Sequence, residues 1–183
     1  SNYTYFIFPA GLKFNKLDLE FNLEGERSEC NLQSASFLDN NEHQEIKTRV
    51  NHFSPNCKSH QKVKNVLNAE SKGVYQGKIY VKDIAQKTNA YQLSKALLLN
   101  DNAEFNSKPE LEIYADDVKC SHGSASGSLN EDSIFYLMSR GLNYKQAKGL
   151  LINGFLNDII ELIKSSSIKK FIEANLDSQI NGY

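Results

Sequence analysis

The chain has 183 residues, 40% hydrophobic and 23% charged, with 21 basic and 22 acidic side chains and a net charge of -1. That length suits one medium domain, or one with a small appendage, and the charge balance excludes a whole-molecule field for nucleic acid or an anionic membrane. No apolar run approaches the roughly 20 residues of a membrane span, the opening "SNYTYFIFPAGLKF" lacks a basic and then apolar leader, and three cysteines are too few and too odd for a disulfide framework, so a cytoplasmic, reducing setting is expected.

The first two thirds read as short strands. "LDLEFNLEG" alternates, with Leu17, Leu19, Phe21 and Leu23 on one face, which is the period of a half-buried strand. "ECNLQSASFL" puts Cys30, Leu32 and Leu38 on one parity with Ser34 and Ser36 between them, and "QEIKTRVNHF" aligns Ile46, Thr48, Val50 and His52. "SKGVYQGKIYV", "AYQLSKALLL" and "LEIYADDV" follow, separated by the turn segments "DNNE", "NAESKG" and "NDNAEFNSKP". Many strands without intervening helices mean a sandwich, a barrel or a solenoid. Recurrent Asn, Asp and Gly, and polar residues inside otherwise apolar strands, favour the solenoid, although no crisp repeat is visible.

The character changes at Leu129, giving a division into residues 1–128 and 129–183. "NEDSIFYLMSRG" predicts a helix capped by Asn130 and ended at Arg140-Gly141. "NYKQAKGLLINGFLNDIIELIKSS" predicts a second, with Asn143 and Gln146 as a capping box and Ala147, Leu150, Leu151, Phe155, Ile159 and Leu162 as the apolar stripe. "SSIKKFIEANL" predicts a shorter third helix with Ile168, Phe171 and Ile172 inward.

The densest chemistry lies in "YADDVKCSHG", Tyr114 to Gly123. On a strand, Val118, Cys120 and His122 share one face, so thiolate and imidazole can converge on one soft metal. A closed zinc site needs four ligands, and Cys30, Cys57, His43, His52 and His60 have no ligand spacing among themselves. On spacing alone, a core cysteine and a hydrogen-bonded strand-end histidine outweigh a metal site. Asp116 and Asp117 face opposite ways on a strand, which is poor geometry for a carboxylate pair. Gly73 and Gly77 form no phosphate loop, and Ser121-His122 is no nucleophile elbow. No catalytic constellation of the chain's own emerges.

These residues resemble the SufB/SufD family of the SUF iron–sulfur cluster assembly machinery, on its SufD side. The resemblance runs from about Ser59 to Phe155, is only general before His52, and rests on "KPELEIYADDVKCSHG" followed by "FYLMSRGL". It implies a right-handed parallel β-helix followed by a small C-terminal helical domain. It also implies a non-catalytic scaffold pairing with SufB through edge strands, and a transient cluster shared with SufB at that interface. His122 matches the family's ligand histidine, and Cys120 the interfacial cysteine. The SufC ATPase is expected to dock on the helices carrying Phe135, Tyr136, Leu137, Ser139, Arg140, Gly141, Ala147, Leu150, Leu151 and Phe155. Without SufB, the same edges are expected to pair two copies. Family members are longer, so the chain is expected to be a C-terminal piece. A purely structural adaptor, with Cys120 and His122 only packing or hydrogen-bonded, is the alternative. An independent Cys120/His122 metalloenzyme is the third reading.

Overall fold

A computed structural model describes residues 1–182. Nine strands come first: β1 Asn2–Ile7, β2 Phe14–Leu23, β3 Glu29–Leu38, β4 His43–His52, β5 Lys58–Leu67, β6 Lys72–Val81, β7 Asn89–Leu98, β8 Glu104–Ile113 and β9 Lys119–Ser128. Three helices follow: α1 Glu131–Ser139, α2 Tyr144–Ile160 and α3 Ser166–Gly182. Odd strands form one parallel sheet in the order β1-β3-β5-β7-β9, and even strands form another, β2-β4-β6-β8. Glu29, Lys58, Asn89 and Lys119 stack in register, so the chain winds as a parallel β-solenoid with a repeat of about 30 residues.

Inside each coil the two sheets face each other. Leu32, Ile46, Val63 and Tyr75 form one buried cluster, and Ile79, Val81, Ala85, Ala90 and Ala115 another. The corners repeat as well. Arg27, Asn56 and Lys87 take positive φ at one corner, Asn40 and Ala69 at another. At the first of these corners the amides donate from coil to coil, Arg27 to Pro55 C=O, Asn56 to Gln86 C=O and Lys87 to Asp117 C=O.

Several local expectations change. β1 and β5 were not legible as strands. "NDNAEFNSKP" is largely β8 rather than a turn, and "YADDV" is a corner rather than a strand, because β8 stops at Ile113. β9 runs on through "SASGS" to Ser128. Pro109 is tolerated within β8. Glu104 N–H donates to Ser71 C=O of the preceding coil, so alternate residues, Pro109 among them, turn their backbone toward the open side.

The outer face of the odd-strand sheet is covered. Ala35, Phe37, Val66 and Leu97 bury against Ile152, Leu156, Ile159, Ile160 and Ile163, with Leu176 and Ile180. The expected stripe of α2 is therefore rotated. Ala147 and Ile159 are buried as expected, Leu151 and Phe155 half-buried, and Leu150 and Leu162 exposed. α3 is as long as α2, 17 residues each. Its inward residues are Leu176 and Ile180, whereas Ile168 and Phe171 face solvent and Ile172 is half-buried. The reason is the docking surface: the helices lie on a sheet, so the stripe is chosen by Phe37 and Val66 below it, not by helical periodicity alone. Lys64 fastens the joint. Its ammonium donates to Asp158 Oδ1 and Phe155 C=O, both at 2.7 Å, and lies 4.8 Å from the Phe155 ring centre.

The helix caps are as the residues dictate. Asn130 accepts from Ser133 N–H, Asn143 and Gln146 exchange both capping-box bonds, and Gly141 at φ +99° lets the chain leave α1.

Candidate site at the open coil

β9 is the last strand of its sheet, and its register fixes what each residue does. Cys120, His122, Ser124 and Ser126 stack on Ala90, Gln92, Ser94 and Ala96 of β7, all buried inside the solenoid. They occupy the inward ladder. No further coil covers them among the described residues, so His122, Ser124 and Ser126 are exposed. Lys119 N–H donates to Thr88 C=O. Alternation then turns the backbone of Cys120, His122, Ser124 and Ser126 toward the open edge. Side chains and free backbone of the same residues thus meet at one face.

Cys120 and His122 differ within that face. Cys120 is half-buried against the cluster of Ala90, Ile79 and Val118. Burial pushes its thiol pKa up, opposed by a hydrogen bond from the Ala90 backbone. His122 is exposed, and its ring has no hydrogen-bond partner among the described residues. The core half of the spacing-based reading therefore fits Cys120, and the strand-end hydrogen bond expected for His122 is absent. The other candidates scatter. His52 is buried inside the solenoid, its Nε2 2.9 Å from Ser59 Oγ. His60 stacks on Tyr91 outside it. His43 meets Glu45, and Cys30 and Cys57 are buried thiols. Among the described residues no three His, Cys, Asp or Glu side chains are gathered for a metal ion. Asp116 and Asp117 lie in the corner before β9, where Asp117 N–H donates to Gln86 Oε1.

The helical candidates divide by exposure. Phe135 is 75% exposed and Tyr136 57%. Arg140 lies over the Tyr136 ring, and Ser139 Oγ donates to Tyr136 C=O. Gly141 and Leu150 are exposed, while Leu137 and Leu151 border a shallow groove between α1 and α2. Ala147, expected at a docking surface, is 0% exposed and belongs to the core. Met138 and Tyr144 join the exposed apolar face. Their neighbouring positions in the sequence were the available signal for them.

A parallel solenoid with an uncapped coil belongs to the class of proteins that work through stacked surfaces and free edges. The family model "SUF system FeS cluster assembly, SufBD core domain" matches residues 1–155, and the chain belongs to this family. The match includes the stretch before His52, where the sequence resemblance was only general. The chain is 34% identical to the iron–sulfur cluster assembly protein SufD of Escherichia coli over 160 residues, 87% of this chain and 38% of that protein. It is 33% identical to an iron–sulfur cluster assembly SufBD family protein of Synechocystis over 169 residues, 92% of this chain and 37% of that protein. It is 42% identical to the chloroplastic protein ABCI7 of Arabidopsis thaliana over 104 residues, 57% of this chain and 22% of that protein. The chain thus spans well under half the length of these relatives. No described helix is long and apolar enough to cross a membrane.

Proposed function

We propose that the chain is a non-catalytic, cytoplasmic scaffold in iron–sulfur cluster assembly. Its open coil pairs with a SufB-type chain, and its helices α1 and α2 receive a SufC-type ATPase. The nascent cluster is cargo, held between the two solenoids, with His122 as the ligand from this side. The observation carrying this reading is His122: exposed, without a bonding partner among the described residues, and set on the free edge strand of a SufBD core domain. A neutral imidazole with an open nitrogen is a ligand for iron, and incomplete ligation by each chain suits a cluster that must be handed on. The exposed face of Phe135, Tyr136, Met138 and Leu150 is the surface offered to the ATPase. In the absence of the SufB-type chain, two copies pair through the same edge.

Cys120 favours a second reading, because its packing against Ala90 accounts for it without metal. In that reading the chain is an adaptor only. Reconstitution with SufB- and SufC-type chains separates the two by cluster absorbance. His122→Ala is expected to lose the cluster while the complex still forms, and Cys120→Ala to retain it. Full cluster formation with His122→Ala overturns the ligand role and leaves the adaptor.

A further inference from the structure

The open coil carries the end of a column of tilted aromatic rings. Phe53, Tyr80 and Tyr114 climb the solenoid at the C-terminal ends of the even strands, with ring centres 5.9 and 5.8 Å apart and planes tilted by 57° and 58°. Phe53 and Tyr80 are half-buried, whereas Tyr114 is 60% exposed and has a ring on one side only among the described residues. Its orientation is nevertheless held. The hydroxyl donates to Glu112 Oε1 at 2.9 Å, and Glu112 Oε2 is paired with Lys78. Ile113 beside it occupies the inward ladder of β8 over Val81 and is also exposed. β9 offers the opposite chemistry: its inward ladder of Cys120, His122, Ser124 and Ser126 gives a partner free backbone but little apolar area. Strand addition there supplies register, and affinity needs a large, pre-oriented apolar side chain elsewhere on the same open face.

We propose that Tyr114, flanked by Ile113, is the affinity anchor of the pairing interface, and that the partner chain packs an apolar side chain against its exposed ring, extending the tilted Phe53–Tyr80–Tyr114 column. This rests on the pairing reading above and deepens it by naming the residue that binds. Fixing the ring beforehand through Glu112 and Lys78 lowers the ordering cost of association, as rigid aromatic anchors do elsewhere.

The test is titration calorimetry of this chain against its SufB-type partner, for the wild type and three variants. Tyr114→Ala is expected to weaken binding by at least about tenfold, with an unchanged melting temperature because the ring is superficial. Tyr114→Phe keeps the ring contact and is expected to stay within about threefold. Ser124→Pro removes an edge-facing N–H without touching the β7–β9 ladder, and reports on strand addition itself. If Ser124→Pro abolishes binding and Tyr114→Ala binds like wild type, the anchor is overturned and the pairing reading stands. If Tyr114→Phe loses as much as Tyr114→Ala, the Glu112 link rather than the ring contact carries the effect, and the proposal falls. If neither Ser124→Pro nor Tyr114→Ala changes binding, or the wild type does not bind, the pairing reading fails and takes the anchor with it.

Discussion

The middle coil and the last coil are built on the same register and put it to opposite use. In the middle, Gln61 and Gln92 point inward and are buried, Gln92 at 2% exposure. Thr48 Oγ1 and Tyr75 OH both donate to Gln61 Oε1, Tyr75 OH lies 3.5 Å from Gln92 Oε1, and Gly77 leaves the room that these side chains fill. One rung further, His122 takes the same inward position above Gln92 and is exposed. A polar residue on this ladder is therefore structural when a coil lies on either side of it and accessible when one is missing. Position along the solenoid, rather than residue type, decides which. Hydrogen bonds offset the cost of burying this polarity, although Gln61 Nε2, His52 Nδ1 and both Gln44 amide atoms are buried without a bonding partner among the described residues.

Glycines test this contrast most severely. A Cβ on Gly77 would lie 2.1 Å from Gln92 Oε1 and 2.5 Å from Tyr75 OH, whereas one on Gly127 in β9 meets nothing within 4 Å. Gly77→Ala is expected to cost about 3 kcal/mol, through overpacking and loss of the Tyr75 network. Gly127→Ala is expected to be neutral. Urea unfolding of the two variants measures the difference, and equal losses would break the contrast between the packed inward ladder and the outer face of the open rung.

Acid titration probes the same interior. His52 is buried and burial lowers its pKa from 6.5 to about 4. Its neutral form is the folded form, so the associated stability is fully present above pH 6.5. It is lost as the pH falls toward 4, because the unfolded chain then binds the proton that the folded chain refuses. The loss from this group at about pH 5 is about 2 kcal/mol relative to about pH 8. Urea midpoints across that pH range measure it, and His52→Gln should flatten the profile. Removal of a single hydroxyl from the network ranks next. Tyr75→Phe strips Gln61 and Thr48 of a buried partner and is expected to cost about 1.5 kcal/mol by the same urea assay.

Much of this contrast was hidden in the sequence for a physical reason. β2 and β4 alternate apolar and polar residues because one face meets the core and the other meets water, and that period is readable. β5, "KSHQKVKNVL", and β9, "KCSHGSASGS", carry polar residues on the inward ladder, so the same period vanishes although the backbone does the same thing. β3 was legible as a strand, but the covering of its outer face was not. It is buried on both faces because α2 and α3 cover Ala35 and Phe37, a contact between elements about a hundred positions or more apart in the chain. The pair Cys120 and His122 was legible as chemistry from its spacing, but the exposure that separates them follows from the end of the stack, which no local pattern records. Tyr114 drew notice only as the first residue of "YADDVKCSHG", since its ring partner Tyr80, and Phe53 beyond it, lie in earlier coils.

The smallest expected effect sits at the corners and sharpens the contrast from the backbone side. Positive φ recurs at Arg27, Asn56 and Lys87 and at Asn40 and Ala69. The corner before β8, residues 99–103, has five residues where those before β4 and β6 have four, and no positive φ occurs in it. The four-residue corners thus accept a left-handed residue to turn tightly, even where it is not glycine. Ala69, at φ 51°, has neither the freedom of glycine nor the local hydrogen bonding of asparagine. Its Cβ crowds the following carbonyl, at a cost of about 1 kcal/mol. Ala69→Gly relieves that contact while loosening the unfolded chain, so a net gain of about 0.5 kcal/mol is expected, and Ala69→Asn should gain a similar amount. Asn102→Gly, at a corner residue without positive φ, should lose rather than gain stability, because only the entropy cost remains. Thermal unfolding of the three variants side by side measures both signs. A gain at both corners would mean that backbone geometry does not distinguish the four-residue corners from the longer one.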